Sequence, residues 1–256
     1  MEITLDELLN GKATTIKNKE FYPTAAYVEP FLERMQKYTT DFRCQVKLPD
    51  QLALNDDKES IDIYNRVVIQ AVLPEELVVS DHSQVVGMVY GLDVRKPVVK
   101  FYSGALDNVC TNLCIFSPEQ LSCSSLEPDS AINYKPVMSI MDTIEDTVKF
   151  ITKLKNTPFE CSYRNTSEQL GNWVKQSIAC TYDNGFGKIK ISSATPIDAY
   201  KKLFEDKNSR YFVNGGTTDM YNVYSAFTQV FTDAMKRDMV NVCEKTLLAK
   251  QILNIF

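Results

Sequence analysis

The chain has 256 residues, of which 24% are charged and 44% hydrophobic, with a formal net charge of −5. That is the balance of a globular protein and excludes a disordered or fibrous chain, while the acidic total argues against a protein that holds duplex DNA mainly through its overall field. No window offers the roughly 18 uninterrupted apolar residues of a membrane helix, and Met1-Glu2-Ile3-Thr4 lacks the basic-then-apolar start of a secretory signal, so the chain is expected to stay in the cytoplasm in which it is made, away from membranes.

Thr4 and Glu7 form a capping box that opens a short helix carrying Leu5, Leu8 and Leu9, with Gly11 as its stop. A second helix is predicted over 29–38, with Pro30 in its first turn and Phe31, Leu32 and Met35 facing inward. From Phe42 the period changes to two: Phe42, Cys44, Val46 and Leu48 alternate with Arg43, Gln45 and Lys47, a strand with one buried face that ends at Pro49. After a polar loop over 55–58, the β-branched and aromatic runs 61–72, 84–90 and 97–102 predict further strands.

Beyond Pro136 the pattern turns helical. Asp142 and Glu145 are read as a cap-and-box pair ahead of a buried stripe of Ile144, Val148, Ile151 and Leu154. A helix over 167–180 carries Leu170, Trp173, Val174 and Ile178; a turn at 183–187 precedes a strand over 188–192; and Pro196 opens a helix running to Glu205. Two final helices are predicted, from Thr217 or Thr218 to Asp233 and from Arg237 to Leu253. With no repeat or linker, the expected architecture is one α+β domain over 1–256, sheet-rich over 1–135 and helix-rich over 136–256. In it an antiparallel sheet from the N-terminal half packs with helices from the C-terminal half.

The residues that carry chemistry are sparse. His82 is the only histidine, so every Ser-His-Asp or Cys-His device must pass through it, and within Ser80-Asp81-His82-Ser83 it reads as a surface-loop residue. The seven cysteines are odd in number and scattered, which suits thiols better than a disulfide framework. Cys110, Cys114 and Cys123 lack the paired spacing of a zinc site, and Cys110 and Cys114 read as small buried hydrophobes, so no metal is predicted. The acidic pairs Asp56-Asp57, Glu75-Glu76 and Glu205-Asp206 sit in loops, turns or helix ends where solvation explains them. Neither Gly185-Phe186-Gly187-Lys188 nor Asn214-Gly215-Gly216 makes a phosphate-cradling loop, so no cofactor is predicted. The sequence therefore reads as a protein that binds, with no assigned catalytic residue.

Charge is unevenly spread. From Thr147 to Arg210 eleven Lys or Arg face six Asp or Glu, a local excess of five in an acidic chain. Lys149, Lys153, Lys175, Lys188, Lys190, Lys201, Lys202 and Arg210 are the candidate nucleic-acid contacts. They alternate with aromatics such as Phe150, Phe159, Trp173, Tyr182, Phe186, Tyr200, Phe204, Tyr211 and Phe212. A single-strand site needs a cationic track and exposed aromatic faces together. Most of these aromatics, Trp173 included, fall on helix positions that belong to a core.

Two segments carry a family likeness. Asn108-Val109-Cys110-Thr111-Asn112-Leu113, following a strand, and Tyr221-Asn222-Val223-Tyr224-Ser225-Ala226-Phe227-Thr228 resemble the phage/plasmid-like protein family, a domain family of unknown function. Its motif positions here are Cys110, Asn112, Tyr221, Tyr224, Ala226 and Thr228; Ser225 stands where the family prefers Asn, and Val230 where it prefers an aromatic. Ile16-Lys17-Asn18-Lys19-Glu20 and Ala26-Tyr27-Val28-Glu29-Pro30-Phe31 are similar to proteins of crAss-like phages of gut Bacteroidota. The resemblance implies a phage protein in the cytoplasm of its bacterial host or in the virion. Sheet followed by helices is also the order found in single-strand annealing recombinases, a likeness of fold alone. Two functions stay open: binding or annealing of single-stranded nucleic acid, and a virion-associated or host-factor-binding role, with phage or host proteins or a second copy of the chain as partners. Asp/Glu-metal catalysis is the third.

Overall fold

The computed structural model describes residues 1–48, 63–74, 82–107, 112–128, 131–161, 163–234 and 239–255, with the backbone alone at Ile144, Tyr163, Arg164 and Asn165. Cys110 and the rest of 108–111, the loop over 55–58, Asp56-Asp57, Glu75-Glu76, Asp81 and the start of the last predicted helix lie outside the described residues. The chain divides into two units: Met1–Val78, Ser83–Ser103 and Glu119–Thr143 form the first, and Val79–His82, Gly104–Pro118 and Ile144–Phe256 the second.

In the first unit, strand β1 (Glu2–Ile3) leads into helix α1 (Leu5–Leu9), and the capping box closes as its residues predict: Glu7 N–H donates to Thr4 Oγ1 (3.2 Å) while Thr4 N–H donates to Glu7 Oε2 (2.7 Å). A short hairpin of β2 (Thr15–Ile16) and β3 (Lys19–Glu20) precedes α2 (Thr24–Met35). This helix begins five residues before the predicted start, so Pro30 lies inside it. Pro30 can offer no N–H to the turn before it, yet Tyr27 and Val28 extend the buried stripe of Phe31, Leu32 and Met35, and burying two more side chains outweighs one missing bond.

The sheet of this unit follows the order β1, β4 (Asp41–Lys47), β5 (Arg66–Val72), β6 (His82–Gly91), β7 (Val98–Asp107), with β9 (Leu121–Ser125) paired antiparallel to the first half of β7. Cys44 stands opposite Ile69, and Ile69 opposite Met88. Burial alternates along β4 but is continuous along β6 and β7, which explains why β4 shows the clean period of two. Gly87 permits a close approach in the sheet interior: a Cβ there would lie 2.2 Å from the Tyr102 ring. The core joins Phe31 to Phe101 (ring centroids 6.3 Å) and Tyr27 to Tyr90 (5.4 Å), and Tyr134 Oη donates to the Tyr27 carbonyl at 2.5 Å. Helix α3 (Pro136–Met141) closes the unit, and Asp142 caps its C-terminal end rather than opening the next helix as predicted.

The second unit takes the end of β7 from Gly104, which pairs with β8 (Leu113–Cys114), and then the helical half: α4 (Ile144–Lys155), β10 (Pro158–Glu160), α5 (Tyr163–Ala179), a hairpin of β11 (Tyr182–Asp183) and β12 (Lys188–Ile189), α6 (Ala194–Phe204), β13 (Thr217–Asp219), α7 (Met220–Asp233) and α8 (Val242–Ile252). Gly185, at φ 81°, makes the β11–β12 turn where the sequence places it. Thr217 and Thr218 pair with β10 instead of starting α7; Asp219 is the N-cap, accepting the Asn222 N–H at 2.7 Å. α7 and α8 are buried nearly all round, and the sole tryptophan, Trp173, packs edge-on to Phe227 (5.3 Å).

Several stripe positions differ from expectation, Leu170 and Val174 being only half-buried. Val148 is half-buried while Thr147 is fully buried, and Ile178 is 65% exposed while its neighbour Ser177 is buried. Ser177 can occupy the inner face because its hydroxyl donates to the Val174 carbonyl at 2.8 Å, satisfying the polar atom within the helix. The protein is thus α+β, with an antiparallel sheet from the N-terminal half and helices mostly in the C-terminal half, as the change of hydrophobic period predicts. Among the described residues no helix is long and apolar enough to cross a membrane.

Candidate functional site

The candidate basic residues all lie in the second unit, and they do not form one track. Lys149 and Lys153 stand on α4, where Lys149 pairs with Asp146 (3.3 Å) and the Lys153 ammonium sits 5.8 Å from the Phe150 ring centre. Lys175 on α5, and Lys188 and Lys190 at β12, are exposed and border neither concavity described below. Lys201 and Lys202 come together with Lys245 of α8 around a groove of about 740 Å³. Ile191, Val230 and Phe231 supply its apolar floor, and Asp198 and Asp233 its acidic edge, with Lys202 Nζ 2.9 Å from Asp233. Lys245 was not singled out from sequence because it stands alone in a mixed segment. Among the described aromatics of 147–212 none is exposed; Phe150, Tyr182, Phe186, Tyr200, Phe204 and Phe212 are half-buried and Phe159, Trp173 and Tyr211 buried.

Arg210 goes elsewhere, to a second cleft of about 500 Å³ that also takes in His82, Asp107, Lys155, Tyr221 and Asn222. The reading of His82 as a surface-loop residue is corrected here: it opens β6 and is 2% exposed. Its ring meets that of Tyr221 edge-on (centroids 5.0 Å), and His82 Nε2 and Tyr221 Oη share a hydrogen bond. Burial pushes the Tyr221 phenol well above the usual tyrosine range, reinforced by the Cys114 thiol and partly offset by the Ser225 hydroxyl. Tyr221 therefore keeps its proton, and the direction of its bond to Nε2 follows the imidazole tautomer.

The charges of this cleft are arranged by depth. Arg210 Nη1 donates to Asp107 Oδ1 at 3.1 Å, with the carboxylate side chain 4% exposed and the guanidinium side chain 40% exposed. Asp219 is engaged in capping α7, and the Lys155 ammonium rests 5.3 Å from the Tyr221 ring centre. The lining thus sets two cations, Lys155 and Arg210, against two carboxylates, Asp107 and Asp219, of which Asp107 is buried.

Behind the cleft the two sequence segments singled out by resemblance meet. Asn112 is fully buried, and its Nδ2 donates to Tyr211 Oη (2.9 Å) and to the Ser225 carbonyl (3.1 Å) on α7; Asn222 Nδ2 donates to the Tyr211 carbonyl (3.0 Å). Tyr224, also fully buried, donates to the Ile115 carbonyl at 3.2 Å, and Thr228 Oγ1 donates to the Ser225 carbonyl at 3.1 Å, while Ala226 has no exposed surface. These positions hold β8 to α7 and so fix Tyr221 at the cleft. Among the described residues no group of three or more His, Cys, Asp or Glu is placed to hold a metal ion; Cys114 is fully buried.

Compared with protein-family models, curated proteins and solved structures, the chain matches none of them.

Proposed function

We propose that the protein binds the backbone of single-stranded nucleic acid along the groove edged by Lys201, Lys202 and Lys245, as a phage protein in its bacterial host. The observation that carries this reading is the meeting of three lysines from α6 and α8 at one concavity. The resemblance of the 108–113 and 221–228 segments supports the phage context. With the aromatics of the basic stretch half-buried or buried, affinity comes from phosphate contacts more than from base stacking. Three phosphate contacts give a slope of log K against log salt of about −2 on a single strand. A labelled-oligonucleotide shift assay across a salt series tests this: binding at low salt with that slope, weakened about tenfold by Lys201→Glu with Lys202→Glu, is expected. Absence of binding at low salt ends the reading.

A second reading, a virion-associated or host-factor-binding protein, is favoured by two exposed apolar side chains, Ile178 on α5 (65%) and Ile197 on α6 (40%). Pull-down from infected cells and mass spectrometry of purified virions separate it from the first: recovery of a stable complex that Ile178→Asp dissolves supports it, and absence from both virions and complexes removes it.

A further inference from the structure

We propose that Asn214 is a site of spontaneous deamidation, converted to aspartate and isoaspartate with loss of ammonia, and that the fold singles it out among the three Asn-Gly steps of the chain. Those steps are Asn10-Gly11, Asn184-Gly185 and Asn214-Gly215. Asparagine before glycine is the reactive pairing because no Cβ on the following residue blocks the approach of its nitrogen. That nitrogen must lose its proton and reach the asparagine Cγ, so a held side chain or an engaged N–H stops the reaction.

Two of the steps are held. Gly11 is buried, its N–H donates to the Leu8 carbonyl at 3.1 Å, and a Cβ on it would lie 2.4 Å from Thr24 Oγ1. Asn184 is pinned at both ends of its amide: Nδ2 donates to Glu244 Oε1 (2.7 Å) and Oδ1 accepts the Phe186 and Gly187 N–H groups (3.0 Å each), while the Gly185 N–H donates to Asp183 Oδ1 (2.9 Å). Asn214 is exposed, and neither its side chain nor the Gly215 N–H has a hydrogen-bond partner among the described residues. Gly215 and Gly216 stand at φ 73° and 78°, and a Cβ on either would meet nothing within 4 Å, so the loop has room to turn for ring closure.

The Gly215 nitrogen bonds to Asn214 Cγ and gives up its proton; the Cγ–Nδ2 bond breaks and ammonia leaves with that proton, closing a cyclic imide. Water then opens the ring at Cγ to give aspartate, or at the main-chain carbonyl to give isoaspartate. Either product adds a negative charge to a chain of net charge −5, at the edge of the cleft that Lys155 and Arg210 line. Bonds on both sides, from Val213 N–H to the Leu203 carbonyl (2.8 Å) and from Cys161 N–H to the Gly216 carbonyl (2.9 Å), limit the change to the loop. The inference stands whether or not the protein binds a polymer.

Incubation of the folded chain in mildly alkaline buffer at physiological temperature, followed by tryptic mapping with fragmentation that separates aspartate from isoaspartate, tests it; the three steps fall in different tryptic peptides. The mass gain of amide-to-acid conversion is expected at Asn214 at least about tenfold faster than at Asn10 and Asn184, which react only as the native structure opens. In guanidinium chloride the three rates should converge; a contrast that survives unfolding belongs to the sequence and overturns the proposal. Asn214→Gln lengthens the side chain past easy ring closure and should abolish the acidic species that ageing produces on anion exchange, while Asn214→Asp should co-elute with it. Equal rates at the three steps in the folded protein, no gain at Asn214, or an acidic species undiminished in Asn214→Gln would equally overturn it.

Discussion

Tyr224 shows how much a single buried polar atom can decide. Its hydroxyl donates to the Ile115 carbonyl at 3.2 Å and lies 3.5 Å from that of Thr246, joining α7 to β8 and α8 where water is excluded. Tyr224→Phe keeps the ring and strands these acceptors, so a loss of about 1–3 kcal/mol is expected in urea unfolding of the variant. Gly87→Ala should cost about the same or more, since the new methyl meets the Tyr102 ring at 2.2 Å within a filled sheet interior. At this scale the sequence speaks unevenly. The Thr4–Glu7 box is legible because both partners lie three residues apart in the chain. His82 is not, because its partner Tyr221 stands 139 residues away and nothing local marks a histidine at the mouth of an apolar strand as buried.

Elements were legible where one face alone is covered. The alternation of β4 and the stripe of α4 follow from that asymmetry, whereas α2 had to be extended past a proline and the first turn of α5 lay four residues upstream of its predicted start. The start of α7 is the instructive case. Two threonines and an aspartate all make good caps, and the choice fell to Asp219 because Thr217 and Thr218 are engaged opposite Glu160 and Phe159. Asp219→Ala should therefore lower stability by about 1 kcal/mol in denaturant unfolding, and Thr218→Ala by less. The candidate site was legible only in pieces: Arg210, Tyr221 and Asn112 stand out in sequence for unrelated reasons, and it is the pairing of β8 with α7 that brings them to one place.

For the molecule as a whole, burial of acidic protons sets the alkaline limit. Tyr27, Tyr90, Tyr134, Tyr221 and Tyr224 all have phenols raised by desolvation, and burial pushes the Cys44 thiol up to about 11. Each group's folded pKa lies above its unfolded value, so the unfolded chain sheds protons first as pH rises. Stability is complete below the unfolded pKa and is lost from about pH 9 upward. Urea midpoints should stay level near neutrality and fall steadily between about pH 9 and 11, with the tyrosinate absorbance of these five buried phenols appearing together with unfolding. The same burial predicts that a thiol reagent at neutral pH modifies Cys44 only as fast as the native structure opens, a rate measurable against the half-buried Cys180.

The chain's path between its two units also bears on its synthesis. The segment Gly104–Pro118 belongs with the helical unit, yet Ile115 leaves the ribosome 109 residues ahead of Tyr224, and Phe116 leaves it 134 residues ahead of Lys250, whose ammonium its carbonyl accepts at 2.9 Å. Through that interval the run Leu113-Cys114-Ile115-Phe116 waits without the helices that cover it, a short apolar stretch of the kind nascent-chain chaperones bind. A protein cut before α8 keeps α7 but leaves the Phe116 carbonyl without Lys250, and it is expected in the insoluble fraction when the truncated chain is expressed and fractionated.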